Sequence, residues 1–162
     1  MSSSVRKVLQ QVYTESQDFR KRKFDISRYQ SVVQQVEPVE LIVTAFREFS
    51  GNFARKFLLL TLKWWKKVDL EVFIQALNKV KDDELTVVYL VSFVKRYFDV
   101  DLSYLCQEKD LYLKSVDYFE KSVHWVLELE RLGVDVQYLK DVKIKWNDIK
   151  TKKIEEHLNS FS

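Results

Sequence analysis

The sequence contains very little proline and glycine: one proline, Pro38, and two glycines, Gly51 and Gly133, in 162 residues. Average usage at this length gives about eight prolines and about eleven glycines. Tight turns between antiparallel strands draw on these two residues, so their scarcity excludes a sheet protein with many hairpins. It predicts an all-α protein whose helices are joined by short polar links.

Cysteine is also scarce, since Cys106 is the only one in the sequence. A single cysteine excludes a disulfide within the chain and a zinc site built from several cysteines. It is typical of a reducing compartment, so we expect an intracellular protein, nuclear or cytoplasmic. Cys106 follows Tyr104 and Leu105, and these neighbours predict a buried structural thiol rather than a reactive one.

Long apolar runs are absent, which argues against a transmembrane helix of about 20 apolar residues. The polar start, Met1–Lys7, lacks the apolar core of a signal peptide. Hydrophobic residues nevertheless make up 46% of the chain and aromatics 14%, enough for a large core. We therefore expect one folded helical domain spanning residues 1–162, either alone or as part of a larger protein.

Apolar residues recur at helical spacing in eight or nine segments. Asp25 and Asp69 fit N-caps, Pro38 fits the first turn of a helix, and Gly51 and Gly133 fit left-handed stops. The predicted helices cover Val5–Phe19, Ile26–Val36, Pro38–Phe49, Phe53–Trp65, Leu70–Lys81, Leu85–Phe98, a segment starting at Asp101, Asp110–Leu132 and Asn147–Phe161.

Two of these segments, Phe53–Trp65 and Leu85–Phe98, are apolar on nearly every face, which predicts central, buried helices. Leu85–Phe98 is rich in valine and aromatic residues, so a strand is the alternative. Acids at 82–84 and bases at Lys95 and Arg96 favour the helix, because they complement its dipole. We expect antiparallel helical hairpins, packed as a bundle or as a short superhelix like that of HEAT repeats.

Charge is distributed unevenly along the chain, although the net charge is only +3. Residues 1–81 carry 15 Lys/Arg and 8 Asp/Glu, a net of +7, whereas residues 82–162 carry 12 and 16, a net of −4. Such asymmetry can attract an acidic partner, or the two halves can face each other in the fold or in an oligomer.

Basic residues cluster at three places in the sequence, and two of them contain tryptophan. Lys and Arg neutralise phosphates and aromatics stack on bases, but lysines also favour helix C-termini and extend along apolar surfaces. The first two clusters are the candidate partner-binding residues: Arg20, Lys21, Arg22, Lys23, Arg28, Lys63, Trp64, Trp65, Lys66 and Lys67. The third is the lysine-rich tail around Trp146: Lys140, Lys143, Lys145, Lys150, Lys152 and Lys153.

Catalytic signatures are missing: the sequence has no H-E-x-x-H, C-x-x-C, G-x-S-x-G or glycine-rich phosphate loop. His124 and His157 are the only histidines. Glu155, Glu156 and His157 point in different directions on a helix and make a poor metal site. We therefore expect no enzyme, no cofactor, no metal and no small-molecule substrate.

The sequence is best interpreted as that of a non-catalytic interaction or scaffold module within a multi-subunit assembly. It would present an apolar and basic groove to another protein, either to an acidic surface or to an amphipathic helix. Of the adjacent Trp64 and Trp65, one should face the core and the other a second helix layer or a partner. The alternative is a nucleic-acid-binding helical domain that uses the basic first half.

Overall fold

The structure, a computed structural model, describes residues 2–17, 26–49, 51–65 and 69–120. These residues form seven α-helices and three 3₁₀ turns, with no strand among them. The prediction of an all-α protein is confirmed. The end of the predicted helix Asp110–Leu132 and the whole of Asn147–Phe161 lie outside the described residues, as does the stop at Gly133.

The chain divides into two compact units, Met1–Lys67 and Val68–Ser162. The single domain expected from the sequence stays a prediction, and each unit is described by itself. The charge asymmetry follows this division: residues 1–67 carry 13 Lys/Arg and 6 Asp/Glu, and residues 68–162 carry 14 and 18. The first unit therefore has a net charge of +7 and the second a net charge of −4.

Helix α1 (Ser2–Gln17) packs against α3 (Pro38–Glu48) in the first unit, and α3 packs on α4 (Gly51–Thr61). Val5, Leu9 and Val12 form the buried stripe of α1, and their spacing of three or four residues is that of one helix face. Arg6 of α1 is paired with Glu48 at the end of α3. The fourth described α-helix of this unit is α2 (Gln30–Gln35).

Pro38 is the first residue of α3, as its position in the sequence predicts. Its ring keeps the preceding Glu37 extended, with ψ of 131°, which separates α2 from α3. The helix predicted over Ile26–Val36 is shorter than expected, because Ile26–Tyr29 is a 3₁₀ turn and only Gln30–Gln35 is α-helical. The proposed cap Asp25 lies outside the described residues.

The left-handed stop predicted at Gly51 was wrong. Helix α3 ends at Glu48 with Phe49 in an extended conformation, and Gly51 is already the first residue of α4. Helix α4 runs to Thr61 and a 3₁₀ turn, Leu62–Trp64, continues it. Phe57, Leu58 and Leu59 are all buried here, which confirms that this helix lies in the core.

The second unit is built around α6 (Glu84–Phe98), which packs against α5 (Leu70–Val80) and α7 (Lys109–Glu120). The segment Leu85–Phe98, for which a strand was the alternative, is therefore a helix. Phe93 of α6 lies fully buried beside Phe73 of α5, with ring centroids 6.0 Å apart. Such aromatic pairs add to the stabilisation from their buried area.

Aspartates begin both α5 and α6. The carboxylate of Asp69 accepts from the backbone N–H of Val72 at 3.2 Å, which confirms the predicted cap. Asp83 accepts from the N–H and from the hydroxyl of Thr86, at 3.3 and 2.7 Å. Caps of this kind satisfy N–H groups that a helix leaves unpaired, and removing one typically costs about 1 kcal/mol.

Helix α6 ends at Asp99, which adopts the left-handed conformation with φ of 57° and ψ of 38°. Aspartate tolerates this region better than most residues other than glycine. Lys95 donates to the Asp99 carboxylate at 3.1 Å, one helical turn away. The helix predicted to start at Asp101 was wrong in extent, because only a single 3₁₀ turn, Ser103–Leu105, follows.

Glu84 joins the start of α6 to the start of α7. Its Oε1 accepts from the backbone N–H of Gln107 at 2.7 Å and of Glu108 at 2.9 Å, immediately before α7. The chain from Asp99 to Glu108 therefore returns to the beginning of α6. An antiparallel hairpin would instead place the start of α7 at the end of α6, so this pair departs from the predicted hairpin packing.

Candidate interaction surface

The structure describes four of the ten predicted partner-binding residues, and all four belong to the first unit. They are Arg28, Lys63, Trp64 and Trp65. Arg20, Lys21, Arg22, Lys23, Lys66 and Lys67 lie outside the described residues, as do the lysine-rich tail around Trp146 and both histidines. The convergence of the basic clusters on one face therefore stays a prediction.

Arg28 is exposed and forms an ion pair with Glu15 of α1. Its Nη1 lies 3.3 Å from Glu15 Oε2, and its guanidinium lies 5.9 Å from the centre of the Tyr29 ring. The pair joins the end of α1 to the 3₁₀ turn Ile26–Tyr29. The described segments before and after Arg20–Lys23 therefore lie within side-chain reach of each other, and this ion pair connects them.

Tyr29 is the buried residue next to the Arg28–Glu15 ion pair. The side chain is buried, and burial raises the pKa of Tyr29 to about 12. The nearby Glu15 carboxylate adds to the rise, because a phenolate would be a second negative charge beside it. A phenol is neutral at pH 7 at its ordinary pKa, so the raised pKa extends the neutral state of Tyr29 into alkaline pH.

Trp64 and Trp65 are both buried, with exposed fractions of 9% and 7%. The indole N–H of Trp65 donates to Thr61 Oγ1 at 3.3 Å, and the Thr61 hydroxyl donates to the carbonyl of Phe57 at 2.9 Å. These bonds satisfy the polar atom of Trp65 inside the unit. Burial of both rings fits the expectation of a core position and a second layer, and neither ring is an open apolar platform.

Lys63 is exposed and directly precedes Trp64 in the 3₁₀ turn that continues α4. Its ammonium lies 5.4 Å from the centre of the Trp64 ring, within the range of a cation–π contact. Arg55, by contrast, is buried in α4 with an exposed fraction of 4%. Within the described part of the first unit the buried Arg55 thus differs from the exposed cations, which are Arg6, Lys7, Arg28, Arg47 and Lys63.

Cys106 is buried in the second unit, as its apolar neighbours predict. Burial raises the pKa of its thiol to about 11, and the Glu84 carboxylate contributes in the same direction. A thiol that keeps its proton at neutral pH is a poor nucleophile. Among residues 2–17, 26–49, 51–65 and 69–120, no group of three or more His, Cys, Asp or Glu side chains could hold a metal ion.

Three large apolar side chains among the described residues of the second unit are exposed and were not predicted as functional; one is Leu85, at 47%. Tyr104 is 53% exposed and Leu113 is 62% exposed. Tyr112 and Val116 are one helical turn apart on α7, and Leu113 lies off the face that they share, which was the sequence signal for its exposure. Tyr104 gave no such signal, because a single 3₁₀ turn has no apolar stripe.

No family model, curated protein or solved structure matches the chain. Within the part of the chain that the structure describes, no helix is both long enough and apolar enough to span a bilayer. The function must therefore be argued from the residues themselves.

Proposed function

We propose that the first unit is a non-catalytic protein-interaction module that captures an acidic partner within a multi-subunit assembly. The observation that carries this proposal is its net charge of +7, from 13 basic and 6 acidic residues in 67. Two of those acids, Glu15 and Glu48, are already paired with Arg28 and Arg6. The remaining excess of positive charge favours association with an acidic surface.

The run Arg20–Lys23 is the proposed centre of this charge. It holds four consecutive basic residues, and the Glu15–Arg28 ion pair anchors the segments on both sides of it. Anchored ends reduce the conformational entropy that a binding segment loses on association. Among the described residues of the same unit, Lys63 adds an exposed cation.

A protein partner is favoured over a nucleic acid because of the tryptophans. Generic binding to single strands uses exposed aromatics as stacking platforms beside basic residues. Trp64 and Trp65 are buried, and Lys63 lies against the Trp64 ring instead. Binding to single-stranded RNA is the alternative outcome of the experiment that follows.

The experiment compares two variants with the same change in net charge. One replaces Arg20, Lys21, Arg22 and Lys23 with Gln. Its matched control combines Lys81→Glu with Lys114→Glu, two exposed lysines of the second unit. Fluorescence anisotropy then measures the affinity of each 162-residue chain for labelled poly-glutamate and for labelled single-stranded RNA.

We expect the Gln variant to bind poly-glutamate about thirtyfold more weakly, since four lost charge contacts at roughly 0.5 kcal/mol each total about 2 kcal/mol. The control variant should bind as the wild type does. Equal losses in both variants would reduce the effect to net charge and overturn the proposal. Tight RNA binding with a steep salt dependence, and none to poly-glutamate, would establish the nucleic-acid alternative instead.

A further inference from the structure

We draw no further inference here: the strongest candidate, the surface of the second unit that carries the exposed side chains of Tyr104 and Leu113, supports no proposal, because nothing in the structure joins the two side chains into one face or shows what covers them.

Discussion

Replacing Glu84 should lower the free energy of unfolding more than replacing another half-buried residue in the first turn of a helix, because Glu84 connects α6 to the start of α7. Glu84 Oε1 accepts from two backbone N–H groups, those of Gln107 and Glu108, at 2.7 and 2.9 Å. Glu108 directly precedes α7 and Gln107 lies one residue earlier, so neither N–H has a partner within that helix, and we take each bond as comparable in strength to an N-cap bond. Capping bonds contribute about 1 kcal/mol each.

The variant Glu84→Ala should therefore lose about 2 kcal/mol of unfolding free energy. Glu84→Gln keeps one carbonyl oxygen as an acceptor and should lose about 1 kcal/mol, because bonds to an uncharged acceptor are weaker. Glu71→Ala is the matched control. Glu71 also lies in the first turn of a helix, but its side chain accepts from Gln75 on its own helix, at 3.4 Å. Its loss should stay near 0.5 kcal/mol.

Two assays separate the local effect from the global one. Urea unfolding followed by circular dichroism gives the free energy, and hydrogen exchange gives the protection of single amides. In Glu84→Ala the amides of Gln107 and Glu108 should exchange about thirtyfold faster, which corresponds to about 2 kcal/mol of local stability. Unchanged exchange at both amides, together with a stability equal to that of Glu71→Ala, would refute this role for Glu84.

Three further predictions concern the core and the buried titratable groups. Phe57→Ala and Leu90→Ala should each cost about 2–5 kcal/mol in chemical unfolding, since both side chains are almost completely buried; losses below about 1 kcal/mol would place them at the surface. Cys106, with a thiol pKa of about 11, should react slowly with iodoacetamide at about pH 8 and quickly after denaturation; fast reaction of the native protein would contradict its burial. Tyr29 has its pKa raised from 10.0 to about 12, so the folded state prefers the protonated phenol and stability should fall as pH rises through that interval; Tyr29→Phe should lose this part of the alkaline dependence, and an unchanged dependence would argue against it.

The sequence predicted the elements whose causes are local. Pro38 begins α3 because its fixed φ suits a first turn, and Asp69 caps α5 through its own backbone. Helix α6 was recognisable despite its valines, because acids precede it and bases end it. Such signals lie within one or two turns of the residue they affect and can be read without knowledge of the fold.

Features that depend on distant residues could not be predicted in this way. Glu84 was recognised as an acid at the start of α6, but its partners lie 23 and 24 residues later. The sequence suggested a left-handed helix stop at Gly51, after α3. The residue that adopts this conformation is instead Asp99, where the chain turns back at the end of α6. The burial of both Trp64 and Trp65 depends likewise on packing around them, which their adjacency does not reveal.

The most direct test of the proposed function is affinity capture from native extract with quantitative mass spectrometry. The baits are the wild type, the variant with Gln at Arg20, Lys21, Arg22 and Lys23, and the Lys81→Glu, Lys114→Glu control. We expect the wild type and the control to retain the same acidic proteins, and the Gln variant to lose them. The captured set should also be released at about 0.5 M salt, because exposed charges are then screened over a few ångströms. Capture of the same proteins by all three baits, undiminished by salt, would contradict the claim that the basic first unit recognises its partner by charge.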